Sequence, residues 1–150
     1  MSTGGTGVRL VVLTAEMLNE CAGLRVRDDQ QVFVDSNLYC IAECALTPSL
    51  RPFAIYAGET MVGLVVTGIL AQERGLIQHM MIDERHQGRG YGEAALGEAV
   101  RVLCEQGCRA IELTYWPDNP AARLYARFGF VATGQVRDDE PVMALRCPAR

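Results

Sequence analysis

Apolar positions divide this chain into short unbroken runs, which suit buried strands, and stretches where they recur every three or four residues, which suit helices. Val8–Leu13 is the first run and predicts a strand. From Ala15 to about Ala22, Met17, Leu18 and Cys21 form a helical stripe, with Thr14 placed to cap it. Arg25–Gln31 is a polar link. The stretch Val32–Cys44 begins extended and becomes helical, with Ser36 or Asn37 as cap and Leu38, Ile41 and Ala45 as core contacts, until Thr47-Pro48 stops it. Arg51–Tyr56 and Met61–Leu70, divided by Ala57-Gly58-Glu59, predict an antiparallel hairpin, and Gln72–Gly75 turns into a further strand ending at Ile82. Leu96, Ala99, Val100 and Leu103 mark a second long helix, which Gly107 ends. Ala110–Tyr115 is the next strand. Asn119 then caps a helix with Pro120 in its first position, Leu124 and Phe128 on its packed face, and Gly129 at its close. Phe130–Val136, the turn Arg137–Pro141 and Val142–Arg146 complete the pattern.

Hairpins at both ends and crossovers between them predict an α+β fold, with a mixed, mostly antiparallel central sheet of about six or seven strands flanked by about four helices. Residues 8–150 read as one domain, and residues 1–7 as a disordered tail. With 49% apolar and 21% charged residues the composition is that of an ordinary globular chain. A formal charge of −4 speaks against a nucleic-acid partner and is compatible with a cationic one. No run is long enough to span a membrane, and the N-terminus lacks the basic and apolar segments of a secretory signal, so a cytoplasmic location is expected. Of the 6 cysteines none forms a C-x-x-C pair, and there are 2 histidines, so no metal site is expected. Cys40/Cys44 and Cys104/Cys108, each four apart, would share helix faces as buried free thiols.

The chemistry concentrates between Ile82 and Leu96. A strand runs into Gln87-Gly88-Arg89-Gly90-Tyr91-Gly92-Glu93, and a helix follows at once. Successive amides in a glycine turn, backed by the positive end of a helix dipole, cradle a pyrophosphate. It is not a Walker loop, because no Gly-Lys-Ser/Thr closes it. Nor is it a dinucleotide fingerprint, because the third glycine falls one place early.

What remains, Gln87-x-x-Gly90-x-Gly92 after a strand, resembles the acetyl-CoA motif of the GNAT acetyltransferase superfamily, (Arg/Gln)-x-x-Gly-x-(Gly/Ala). Asn119-Pro-Ala-Ala-Arg-Leu-Tyr125-Ala-Arg-Phe-Gly-Phe130 is similar to that superfamily's second signature, although Asn119 lies six rather than seven residues before the tyrosine and Asp118 holds the usual spacing. The resemblance covers at least Arg51 to Leu145. It implies a sheet splayed between two parallel strands and acetyl-CoA as cosubstrate. Main-chain groups of Met80, Met81 and Ile82 would meet the pantetheine arm, Gln87 and the amides from Gly88 to Glu93 (Arg89, Gly90, Tyr91 and Gly92 between them) would hold the pyrophosphate, and Asn119 would contact CoA. Tyr125 would be the acid that protonates the leaving thiolate. Gln78 and His79 are candidates for the base, which stays unassigned.

The N-terminal half is similar to the bacterial diamine/spermidine/spermine acetyltransferase subgroup. That resemblance places Phe33, Asp35, Tyr39 and Glu43 along the acceptor cleft, where carboxylates and aromatic faces suit an alkylammonium. It implies a small-molecule amine as partner and a possible homodimer. A GNAT acting on an aminoglycoside or a protein lysine, and a CoA-binding module without turnover, are the other readings.

Overall fold

A computed structural model describes residues 7–149; the expected disordered tail otherwise lies outside the described residues. Among the described residues seven strands form one sheet: β1 (Arg9–Val12), β2 (Leu50–Ala57), β3 (Thr60–Leu70), β4 (Arg74–Ile82), β5 (Ala110–Thr114), β6 (Val131–Arg137) and β7 (Glu140–Arg146). Their order across the sheet is β1-β2-β3-β4-β5-β7-β6, and only the β4–β5 pair is parallel. Four helices accompany them: α1 (Leu18–Gly23), α2 (Asn37–Leu46), α3 (Tyr91–Glu105) and α4 (Ala121–Phe128).

Helices cover both faces of the sheet. Leu96, Ala99 and Leu103 of α3 join Val65, Ile77 and Ile111 in one core cluster, and Cys21 of α1 and Cys40 of α2 join Ala54, Leu64 and Val66 in the other. Residues 61–68 of β3 are therefore buried on both sides, which is why that strand reads as an unbroken apolar run rather than an alternation. At Gly63 an added Cβ would run into the Met81 carbonyl, so only glycine lets β3 and β4 approach there.

The β4–β5 ladder is short. It joins Arg74 through Ile77 to Ala110 through Leu113 and then stops. On its other side β4 stays paired to β3 as far as Gly63↔Ile82, with Gln78 as an extra residue between Ile77 and His79. Such a bulge bends a strand and increases its twist. Residues 78–82 thus keep one hydrogen-bonded neighbour, and the sheet splays open beside them. Where the two strands still touch, the buried Glu112 of β5 binds Arg74 of β4 at 2.7 Å and Arg137 of β6 at 2.8 Å. Burial alone would raise this carboxyl, but the bonds from Arg137 and Arg74 prevail and hold it below the ordinary range.

Several expectations are corrected. Residues 31–33 form a turn, not an extended segment. Ser36 caps α2 by accepting from the Tyr39 N–H, and the helix buries Asn37 and Cys40. Of the expected core contacts Ile41 packs against the core, while Leu38 is 57% exposed and Ala45 exposed. Thr14 makes no side-chain cap bond. Cys104 does not pair with Cys108 on a helix face, because α3 ends at Glu105 and Cys108 lies beyond the turn at Gly107. Cys104 and Cys147 form a disulfide, fixing the end of α3 to the segment after β7, while Cys21, Cys40, Cys44 and Cys108 are free. Linear spacing could not show it, since 43 residues separate the partners.

Candidate active site

The splay opens into a cleft of about 420 Å³ between β4, the glycine loop, α4 and the segment after α1. The loop begins at Asp83, which is 1% exposed. Its carboxylate accepts from the Arg25 N–H at 3.0 Å, from the Arg85 N–H at 3.1 Å and from Arg85 Nε at 2.8 Å. Glu84 N–H donates to the Arg25 carbonyl at 2.8 Å. Burial alone would raise the Asp83 carboxyl, but the bonds from Arg85 and Arg25 outweigh it and keep the group below its usual range.

That arrangement makes a stability prediction. Asp83→Ala strands the Arg25 N–H and should cost about 1–3 kcal/mol. A carboxyl depressed in the folded state stabilises above its unfolded pKa of about 3.9 and ceases to do so as pH falls through the folded value. In denaturant titrations the variant should therefore be weaker than the parent at pH 7 and approach it in acid. A constant difference across that range would show that ionisation contributes nothing.

Beyond Asp83 the chain reaches Gly88 (φ +79°) and Gly90 (φ +84°), backbone that side chains rarely tolerate. Gly90 is the N-cap of α3, and no side chain caps that helix end. The amides of its first turn have no intrahelical acceptor, and the helix dipole adds partial positive charge there. An added Cβ at Gly88 would meet nothing within 4 Å, so the space beside the loop is open. An uncapped 15-residue helix behind an open positive-φ loop, next to a strand edge lacking a second neighbour, fits a pyrophosphate with an extended amide-bearing arm.

Across the cleft stands α4. The helix starts at Ala121 with Pro120 as its N-cap, one place later than expected; Asn119 Oδ1 accepts from the Ala121 N–H at 2.9 Å and the residue lines the cleft. Tyr125 projects from α4 into the same space, its ring edge-on to Phe130 at 6.3 Å. Burial raises the Tyr125 phenol above its ordinary value of 10, so it is a proton donor at neutral pH.

The expected CoA residues Met80, Met81, Ile82, Gln87, Gly88, Gly90, Tyr91, Gly92 and Asn119 all line this one cleft with Tyr125. Arg89 and Glu93 do not. Both are exposed, and the Glu93 carboxylate lies 3.8 Å from Arg127 of α4. Of the expected acceptor residues only Phe33 lines the cleft. Asp35 lines an adjoining hollow with Asn37 and Met81, Tyr39 is 58% exposed on α2, and Glu43 accepts from Gln78 Nε2 at 3.4 Å. The phase of α2 explains this scatter, because its inward face carries Asn37 and Cys40 instead.

The pattern missed Val26, Arg27, Asp29 and Gln30, which form the wall opposite α4. They sit in a polar link with no periodicity. The one available signal was Arg27-x-x-Gln30: the Gln30 N–H donates to the Arg27 carbonyl at 2.8 Å and the Arg27 N–H to Gln30 Oε1 at 3.0 Å, closing the 3-10 turn Asp28–Gln30. His79 is buried, its Nε2 3.2 Å from Asn37 Oδ1. Burial lowers its pKa to about 4, which leaves it neutral and a poor base at pH 7. Among the described residues no cluster of His, Cys, Asp or Glu could hold a metal, and no helix is long and apolar enough to cross a membrane.

A mixed sheet that splays beside its parallel pair, with a glycine loop at a helix N-terminus and a tyrosine lining the same cleft, is suited to holding a nucleotide-bearing thioester. The chain belongs to the acetyltransferase (GNAT) family, whose model matches residues 16–130, and it is an N-acetyltransferase that uses acetyl-CoA. A spermine/spermidine N(1)-acetyltransferase of Bacillus subtilis (strain 168) is 29% identical over 122 residues, covering 75% of this chain and 80% of that protein. Among solved structures, a Vibrio cholerae spermidine N-acetyltransferase in complex with CoA and spermine superposes with a TM-score of 0.74 at 20% identity, covering 93% of this chain and 95% of that one. A nourseothricin acetyltransferase superposes with a TM-score of 0.67 at 19% identity, covering 95% of this chain and 100% of that one. Acceptors as different as these share the fold, so the fold alone does not choose among amines.

Proposed function

We propose that the protein acetylates a polyamine, and that the cleft beside Gly90 and Tyr125 is where it does so. The observation that carries this reading is the 29% identity over 122 residues with an enzyme named for spermine and spermidine. The cleft supports it, because the lining contributed by residues 26–34 includes the Phe33 ring and the exposed Asp29 carboxylate, which Arg27 Nε contacts at 3.3 Å and which an alkylammonium can approach. Acetyl-CoA supplies an activated acyl group whose carbonyl carbon a neutral amine can attack. The chain's part is to hold the phosphates on the loop amides, to align the pantetheine arm along residues 80–82, and to donate the Tyr125 proton to sulfur as the C–S bond breaks. The attacking nitrogen loses its proton to water, since His79 stays engaged with Asn37. Asp35, Tyr39 and Glu43, outside the cleft, act on distal ammonium groups of a long acceptor. The bare apolar face of α2, with Leu38 57% and Leu46 84% exposed, supports self-association as a homodimer. The cytoplasm, where acetyl-CoA is made and used, is the proposed compartment.

The test is thiol release from acetyl-CoA against spermine, spermidine, putrescine, an aminoglycoside and a lysine peptide. Spermine and spermidine should give the highest kcat/KM. Asp29→Asn should raise their KM about two- to fivefold, since the carboxylate is exposed and screened. Turnover of another amine with none of the polyamines would overturn the acceptor and leave the acetyltransferase standing.

A further inference from the structure

Besides the bonds between Arg25 and Asp83–Glu84, a second contact ties the N-terminal part of the chain to the glycine loop, through Gln87 of the first motif. Gln30 and Gln87 meet amide to amide: Gln87 Nε2 donates to Gln30 Oε1 at 2.9 Å, and Gln30 Nε2 donates back to Gln87 Oε1 at 3.2 Å. Each oxygen takes a second donor. Arg27 Nη1 reaches Gln87 Oε1 at 2.8 Å, and the Arg27 N–H reaches Gln30 Oε1 at 3.0 Å. Gln87 Nε2 also donates to the Ile82 carbonyl at 2.9 Å. Every one of these bonds requires the same amide orientations. The motif glutamine therefore points back to the end of β4 and across to residues 27–30, and its side chain braces the loop.

We infer that Gln30 and Arg27 are positioning residues for the CoA cradle, acting through Gln87. The loop between β4 and α3 has little structure of its own beyond one 3-10 turn, Glu84–His86, and two glycines at positive φ follow it. Such a segment is entropically costly to fix. It is fastened at two points, Asp83 to Arg25 and Gln87 to Gln30 and Arg27, and both fastenings lead to the same short stretch of residues 25–30. Amides held in place before an anion arrives bind it more tightly than amides that must be ordered on arrival. Loosening the brace should thus weaken CoA, while the chemical step on bound CoA proceeds nearly as before. Asp29 sits inside the braced stretch, so the acceptor wall and the cradle share one support.

This inference rests on the reading of the loop as the CoA phosphate site, and the experiment separates the two. CoA affinity is measured by calorimetry, and steady-state kinetics are run on Gln30→Leu, Gln87→Leu, the double variant, Gln30→Glu and Gly90→Glu. Gln30→Leu should weaken CoA roughly five- to thirtyfold, the worth of one or two net hydrogen bonds. KM for acetyl-CoA should rise in step, with kcat at saturation within about twofold of the parent. Gln87→Leu should do at least as much, and the double variant should be no worse than Gln87→Leu alone, because both remove one brace. Gln30→Glu keeps the acceptor roles but sets a carboxylate oxygen against Gln87 Oε1 and adds negative charge beside the cradle, so it should weaken CoA at least as much as Gln30→Leu. A Gln30→Leu protein that melts and binds CoA like the parent, additive losses in the double variant, or a fall in kcat alone would each overturn the brace. Normal CoA binding by Gly90→Glu would overturn the cradle itself; lost binding there with intact binding in Gln30→Leu removes the brace only.

Discussion

Gly90→Glu should abolish measurable CoA binding, with at least a hundredfold loss by isothermal titration. Two effects act together. Gly90 sits at φ +84°, a left-handed conformation that costs a residue with a Cβ roughly 1–2 kcal/mol. The glutamate also brings a negative charge to the uncapped N-terminus of α3, where the pyrophosphate would sit. Two unit charges 4 Å apart repel by about 1 kcal/mol in bulk water and about 4 kcal/mol near a protein surface, so each phosphate charge in reach adds to the loss. Gly90→Ala isolates the backbone cost and should lose only about tenfold. High salt should recover part of the affinity of Gly90→Glu and little of that of Gly90→Ala. If Gly90→Glu folds and binds CoA like the parent, the phosphates lie elsewhere.

The glycine turn at the start of α3 and the loop before α4 are legible in the sequence, and the reason is local. Gln87-x-x-Gly90-x-Gly92 encodes a positive-φ turn at a helix start, and Asn119-Pro120 marks a helix start to within one residue; both are written within a few adjacent residues. The acceptor side was not legible in the same way. Which of Tyr39 and Glu43 faces the cleft depends on the rotational phase of α2, which the Ser36 cap and the buried bond from Asn37 Nδ2 to the Cys21 carbonyl (2.9 Å) set, and Asp35 precedes that helix. A helix whose apolar residues lie on two sides, Cys40 inward and Leu38 and Leu46 outward, gives no unambiguous stripe. The wall formed by Arg27, Asp29 and Gln30 was invisible for another reason. Its contacts to Gln87 span 57 and 60 residues, and nothing in a polar link announces its distant partner. The Cys104–Cys147 disulfide belongs with these, since its pairing is set by how α3 and β7 end side by side.

Tyr125→Phe should lower kcat about 10²–10⁴-fold while CoA affinity moves less than about twofold. The substitution keeps the ring, so the edge-on contact with Phe130 at 6.3 Å survives and α4 stays packed. Only the proton is lost. At the end of the reaction a thiolate of pKa about 8.5 would draw a proton from a phenol of pKa about 10 or more against a gradient of roughly 2 kcal/mol. Transfer is therefore expected as the C–S bond breaks, when an acid positioned at sulfur keeps full thiolate charge from building up. The pH profile distinguishes this role from packing. An acid must be protonated, so its contribution is complete at low pH and fades as pH rises through its pKa. Burial has raised the Tyr125 value above 10, which places that alkaline fall beyond the ordinary phenol range in the parent. The fall should be absent in Tyr125→Phe, and any residual rate should follow only the deprotonation of the amine. Near-parent turnover in a folded Tyr125→Phe protein would reduce the tyrosine to a packing residue, and the thiolate would then leave with a proton from water.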